Sequence, residues 1–253
     1  MAKVAAAIAV LASCLYAQSS QSLDEFSLLR VIELKEKTRH VQGIEADADR
    51  LWVTSVDRNT QSAWLQEFSL PTGALIREAQ IQDGARFHPG GISGAGESLW
   101  IPVAEYKANS TSVIQKRSKR TLAIEKQFTV QDHIGCVAVS GDTVIGGNWD
   151  SRDLYFWNTD GALLRKVPNP TQTSFQDMKA VGETLVGSGG SPGGAGTIEW
   201  IDLPTLKPVK RITAGKTDRG ASFTREGMLI RGEELMLLPE DGSSRLFVFR
   251  LKK

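Results

Sequence analysis

The sequence is nearly without cysteine. Cys14 and Cys136 are the two in 253 residues, too few for a disulfide framework. It has no surplus of either charge, with 30 Lys and Arg against 29 Asp and Glu for a formal net charge of +1. A dedicated nucleic-acid binder needs surplus cations to displace phosphate counterions, so that class is set aside. The chain has no long apolar run beyond its first residues, which argues against a membrane-spanning helix in the remainder. Neither a Gly-x-Ser-x-Gly elbow nor a His-Glu-x-x-His helix occurs, so two common hydrolase designs have no support. No segment keeps a 3.6-residue apolar period for a dozen residues, which removes a helical architecture. Turn formers are plentiful, with 24 Gly and 9 Pro.

The first residues read as an address. Lys3 precedes the apolar stretch Val4 to Leu11, and small residues then lead to Ala17 and the polar Gln18-Ser19-Ser20-Gln21-Ser22. This is the layout of a secretory signal peptide over residues 1–17, with a mature domain over 18–253. Leu11-Ala12-Ser13-Cys14 also has the form of a lipoprotein box, in which Cys14 is acylated and holds the chain on a membrane. Both alternatives take the protein out of the cytoplasm, to the periplasm or beyond. Ordinary cleavage leaves Cys136 alone, without an intramolecular partner.

Internal repetition organises the rest. Ile44, Ile92, Val137, Met178 and Met228 serve as anchors 48, 45, 41 and 50 residues apart. Seven and eight residues after each stands an apolar pair: Leu51-Trp52, Leu99-Trp100, Val144-Ile145, Leu185-Val186 and Leu235-Met236. A period in the forties built of short strands predicts four-stranded propeller blades. Each unit carries one strand at the anchor and one at the pair. An alternating third strand follows, such as Trp64 to Leu70, and after a turn a fourth, such as Ala74-Leu75-Ile76. The fifth unit ends after its third strand, at Leu251, and the unclaimed segment Phe26 to Leu34 supplies the missing fourth. The expectation is one all-β domain, a five-bladed β-propeller whose N-terminal strand closes the last blade and protects its edge.

The chemistry-bearing residues fall in columns. His40, His88 and His133 each stand four residues before an anchor. Gln42, Gln176 and Glu226 stand two before, beside Gly90 and Gly135 in the other blades. Asp57, Glu105, Asp150 and Asp241 stand thirteen after. Loops that lead into the first strand and out of the second open on one face, so these columns are expected to line one channel mouth. Asp177, Trp149, Tyr106 and Arg58 belong to the same rim. Neutral imidazoles backed by carboxylates suit a divalent metal, zinc through nitrogen or calcium through oxygen. A repeated His also serves some propellers as a scaffold residue tying loop to strand, and both readings stand. The other five Trp fall on strands as packing residues. Lys116-Arg117 and Lys119-Arg120 read as a solvated turn, and Gly187 to Gly196 as a mobile loop.

The segments His40-Val41-Gln42-Gly43-Ile44, Phe87-His88-Pro89-Gly90-Gly91-Ile92, Asp132-His133-Ile134-Gly135-Cys136 and Gly146-Gly147-Asn148-Trp149-Asp150 are distinctive. With Phe175-Gln176-Asp177-Met178 and Leu238-Pro239-Glu240-Asp241-Gly242, they resemble an exported bacterial propeller family labelled as a domain of unknown function. That resemblance spans roughly residues 28 to 251 and implies fold and export but no activity. Gln42-Gly43-Ile44 and Glu226-Gly227-Met228 are also similar to the repeated blade motifs of the five-bladed glutaminyl cyclases of plants and bacteria. That likeness implies a proton-shuttling role for Glu226 and substrate holding by Trp149. The three His are not part of the cyclase pattern.

The expected function is binding of a small polar ligand, or a metal, at the His and carboxylate mouth. A metal-assisted hydrolase or lyase is one form of it. The alternatives are a non-catalytic propeller recognising protein or glycan, and a glutaminyl-cyclase-like enzyme. The chain reads as a monomer.

Overall fold

A computed structural model describes residues 21–252; the expected signal segment and Cys14 lie outside the described residues. Apart from two 3-10 turns the secondary structure is all strand, and no described helix is long and apolar enough to cross a membrane. The strands form five sheets in a ring. Blade 1 runs outward through His40–Ala46, Arg50–Asp57, Ser62–Ser69 and Leu75–Gln80. Blade 2 begins with a broken inner strand, His88–Pro89 and Ser93–Ala95. It continues through Ser98–Ala104, Ser112–Ser118 and Ile124–Val130. Blade 3 holds Ile134–Ser140, Thr143–Asn148, Asp153–Asn158 and Leu163–Pro168. Blade 4 holds Ser174–Val181, Thr184–Gly190, Gly196–Asp202 and Lys207–Ala214. Blade 5 holds Gly227–Arg231, Glu234–Leu238, Arg245–Leu251 and, as its outer strand, Phe26–Glu33.

Closure follows the expected route. Phe26–Glu33 pairs antiparallel with Arg245–Leu251, from Phe26 opposite Leu251 to Glu33 opposite Arg245. The segment Gln21–Ser22, which the repeat did not reveal, pairs in parallel with Ile212 and Thr213 on the outer edge of blade 4. The N-terminal segment therefore covers two outer edges that would otherwise present unpaired amides.

The packing explains the repeat. Each blade is sandwiched between neighbours, and adjacent residues of a strand face opposite ways. Five apolar clusters fill the five blade interfaces. The first residue of each pair packs toward the preceding blade and the second toward the following one. Thus Leu51 lies in the blade 5–1 cluster and Trp52 in the blade 1–2 cluster. All five anchors are fully enclosed. The basic cluster of blade 2 corrects the solvated-turn expectation, because Arg117 and Lys119 are buried. Lys119 Nζ meets Asp47 of blade 1 at 2.8 Å and lies over the Trp52 ring. Arg77 of blade 1 donates to the carbonyls of Lys119 and Arg120 at 2.9 and 2.7 Å. These cations join two blades. The Gly-rich stretch is strand as far as Gly190, and Ser191 N closes a short turn onto Ala195 O at 2.9 Å.

Around the axis the inner strands approach closely. The ring one residue before the anchors is Gly43, Gly91, Cys136, Asp177 and Gly227. A Cβ on Gly43 would fall 2.5 Å from Gly91 Cα, and one on Gly91 would fall 2.6 Å from the Gln176 carbonyl oxygen. Asp177, fully buried, ties the ring together. Its Oδ2 accepts from Ile44 N of blade 1 and Met228 N of blade 5, each at 3.0 Å. Its Oδ1 takes Lys179 Nζ at 2.6 Å, and that ammonium also donates to Ile92 O of blade 2 at 2.7 Å. Burial pushes the Asp177 carboxyl up to about 6 against the pull of Lys179 and these amides.

Candidate functional site

The mouth is made by irregularities of the inner strands. The strand ladder shifts register between Val41 and Gly43, between Ile134 and Cys136, and between Phe175 and Asp177. The extra residue in each case is the one two before the anchor: Gln42, Gly135 and Gln176. In blade 2 the inner strand breaks after Pro89, and in blade 5 it begins only after Glu226. A bulge re-aims a side chain, and here that turns Gln42 and Gln176 out of the ladder, while Glu226 stands just ahead of its strand.

Two of the three His, His88 and His133, meet there. The His88 and His133 rings lie 5.3 Å apart, Tyr106 lies 4.3 Å from His88, and Trp149 stands edge-on to His133 at 4.6 Å. Gln42 donates its amide to Val41 O, so its Oε1 faces His88 Nε2 at 2.9 Å and that nitrogen carries the proton. His88 Nδ1 is left a bare, buried nitrogen without a partner. His133 Nδ1 meets the Lys107 carbonyl at 2.9 Å; a carbonyl only accepts, so Nδ1 holds the proton and Nε2 does not. Burial, reinforced by His133, His40 and Arg58, lowers the His88 pKa to about 3. Burial also lowers His133 and His40. Burial therefore keeps His88 neutral near neutral pH.

Beside His40 is an acid pair. His40 Nδ1 lies 3.0 Å from Glu240 Oε1, too oblique for a well-aligned hydrogen bond, and 3.9 Å from Glu226 Oε1. These three residues offer ligand atoms that all lie within 4.8 Å of one another. His88 and His133 are not part of that group. Arg225 reaches Glu226 at 3.5 Å and Glu240 at 3.6 Å. Glu226 is only 4% exposed. Burial, with Glu240 beside it, pushes its carboxyl well above the ordinary range. A cleft of about 850 Å³ opens between blades 5 and 1, with His40, Arg58, Arg225 and Glu240 in its wall.

The acids thirteen after the anchors turn to their own loops. Asp57 accepts from Asn59 N and Thr60 N, and it also borders the cleft. Glu105 holds Thr111, Asp150 pairs with Arg152, and Asp241 is buried against Arg245. Asp177 lies below the mouth as the axial tie. Gln176 lines a smaller niche with Thr224 and Arg225. The residues one position earlier, Trp149 and Glu240, are the ones brought to the His. Sequence reasoning missed Glu240 and Arg225. Their signal was the motif Leu238-Pro239-Glu240-Asp241-Gly242 and the charge next to Glu226.

With this geometry in hand, the comparisons bear on identity. The sequence matches "Family of unknown function (DUF6454)" over residues 3–190. The chain belongs to this family. No curated protein sequence matches this DUF6454 member. Its fold is similar to Myxococcus xanthus glutaminyl cyclase, with 12% identity and a TM-score of 0.67 over 90% of this chain and 97% of that one. It is also similar to the Pan2 WD40 domain of Neurospora crassa, with 10% identity and a TM-score of 0.51 over 89% and 72%. At such identities the likeness speaks for the fold alone.

Proposed function

We propose that the mouth binds a small polar ligand and carries out acid–base chemistry on it, as a hydrolase or lyase, with Glu226 as the proton donor. The observation that carries this reading is the placement of Glu226, enclosed beside Glu240 and His40 where burial shifts its carboxyl toward the protonated form. Paired titratable groups pushed in opposite directions mark acid and base assignments. Glu226 gives up its proton as charge develops on the ligand, and the unpartnered Nδ1 of His88 accepts a hydrogen bond from it. Tyr106 and Trp149 supply flat walls. Cyclisation of a glutaminyl substrate, the activity in the name of the Myxococcus protein, is the first reaction to try.

The experiment compares wild type, Glu226→Gln and His88→Ala on glutaminyl peptides and on panels of amides, esters and lyase substrates. Loss of the acid is expected to lower kcat by roughly 10²–10⁴-fold, the usual worth of a positioned proton donor, in a variant at least as stable as wild type near neutral pH. His88→Ala is expected to raise KM first. Wild-type turnover in Glu226→Gln would remove the assignment.

A divalent ion is the second reading, favoured by the mutual proximity of the His40, Glu226 and Glu240 ligand atoms. One nitrogen with two carboxylates suits zinc better than calcium. Arg225 already balances both carboxylates, so the ion would have to displace it. Elemental analysis of purified protein, with Glu240→Gln as control, tests this reading; stoichiometric metal lost in that variant supports it.

A further inference from the structure

We infer that the cleft between blades 5 and 1 recognises the oxyanion of a small acidic molecule, with Arg58 as its principal partner. The inference rests on the proposed ligand site and names the class of ligand. Five cations line this cleft, Lys35, Lys37, Arg39, Arg58 and Arg225, against the three acids Glu36, Asp57 and Glu240. The chain as a whole is almost balanced at +1, so the excess is local. Arg39 is spent on Glu78 at 2.9 Å, and Arg225 on the two mouth carboxylates. Arg58 is different. Its guanidinium lies 5.2 Å over the Tyr106 ring, and among the described residues it forms no ion pair with a carboxylate.

The Tyr106 ring face attracts the guanidinium without neutralising its charge. That leaves a planar fork of donors suited to a carboxylate or phosphate group. Lys35 and Lys37 are exposed on the same wall, in the segment that leaves the closing strand. The volume, about 850 Å³, is that of a small-molecule site. His40 stands where the cleft meets the acid pair, so an anion held by Arg58 would present its remaining atoms toward Glu226.

The test is titration of the full mature chain at fixed ionic strength with succinate, with inorganic phosphate and with neutral succinamide. It is followed by calorimetry and by the imidazole resonances of His40. Succinate, phosphate or both should bind and shift His40, and which one binds tells carboxylate from phosphate. Arg58→Gln should weaken that binding at least tenfold and Arg58→Lys by less, both with unchanged thermal unfolding. Binding should also fall with added salt. Absence of anion binding, equal binding of succinamide, or full affinity in Arg58→Gln would overturn the inference. Because this experiment reads anion affinity and the Glu226→Gln experiment reads turnover, either can fail while the other stands.

Discussion

Replacing Gly43 by Ala adds one methyl group at the narrowest point of the propeller. The new Cβ would fall 2.5 Å from Gly91 Cα and 2.9 Å from Ile92 N, both backbone atoms of the next blade. No side chain can rotate away, and ring closure keeps the blades from separating. Relief requires the inner strands to part by nearly an ångström, since ordinary van der Waals contact begins near 3.4 Å. Overpacking of this kind costs ~1–3 kcal/mol, and a backbone clash belongs at the upper end. A Gly→Ala change at a compatible site gains ~0.4–1 kcal/mol by restricting the unfolded chain, so the expected net loss is ~2 kcal/mol. For a domain of this size that is a fall in Tm of roughly 4–8 °C. Gly135 is the internal control. A Cβ there would meet nothing nearer than 3.9 Å, and its φ is not in the left-handed region. Gly135→Ala should therefore be neutral or slightly stabilising. Thermal unfolding followed by Trp fluorescence reads both, because Trp52, Trp100 and Trp157 are buried between blades. Equal stability of the two variants would refute the argument that axial crowding selects glycine. Gly43→Ala should also loosen the adjoining Gln42–His88 bond and weaken ligand binding.

Three further outcomes follow from the buried charges. Lys179→Met strips the ammonium that holds Asp177 down, so the Asp177 carboxyl rises above its present value of about 6. A raised folded-state pKa costs stability as pH climbs through it, and the variant should lose ~3–5 kcal/mol in urea unfolding at pH 8 and less at pH 5. Glu226 has the same sign. Wild-type stability should fall as pH rises from the ordinary carboxyl range through the raised value, and Glu226→Gln should flatten that slope and be the more stable protein at pH 8. His88, lowered to about 3, should show one constant imidazole signal of the Nε2-protonated form in NMR between pH 5 and 8; a titration step in that range would contradict the geometry.

The blades were legible because sandwiching imposes a rule that sequence must obey. A strand buried on both faces needs two consecutive apolar residues at a fixed distance from the anchor, as in Leu185-Val186. The closing strand was legible by subtraction, as the fourth strand the last blade lacked. Gln21–Ser22 was not, since a two-residue parallel pairing depends on where blade 4 happens to present its edge. At the mouth, the His column was visible because equivalent loops converge on one axis. The acids were harder. Repeat alignment favoured the column of Asp57, Asp150 and Asp241, yet Asp241 is consumed by Arg245 and its neighbour Glu240 turns to His40. Parity along a strand end decides which of two adjacent acids faces the channel, and a one-residue shift reverses it.

Charge was the other thing concealed. A net of +1 is the sum over a whole surface and erases the grouping of five cations around one cleft and of two acids behind it. That grouping has a physical consequence. Enclosure and the neighbouring Glu240 push the Glu226 carboxyl upward, while Arg225 and Arg58 oppose the effect from the rim. An anion in the cleft would partly cancel those cations at Glu226, raising its pKa further and keeping the acid loaded. Ligand charge and proton supply are then coupled through the same few ångströms. A neutral ligand of the same shape would forfeit that coupling as well as the ion pair with Arg58.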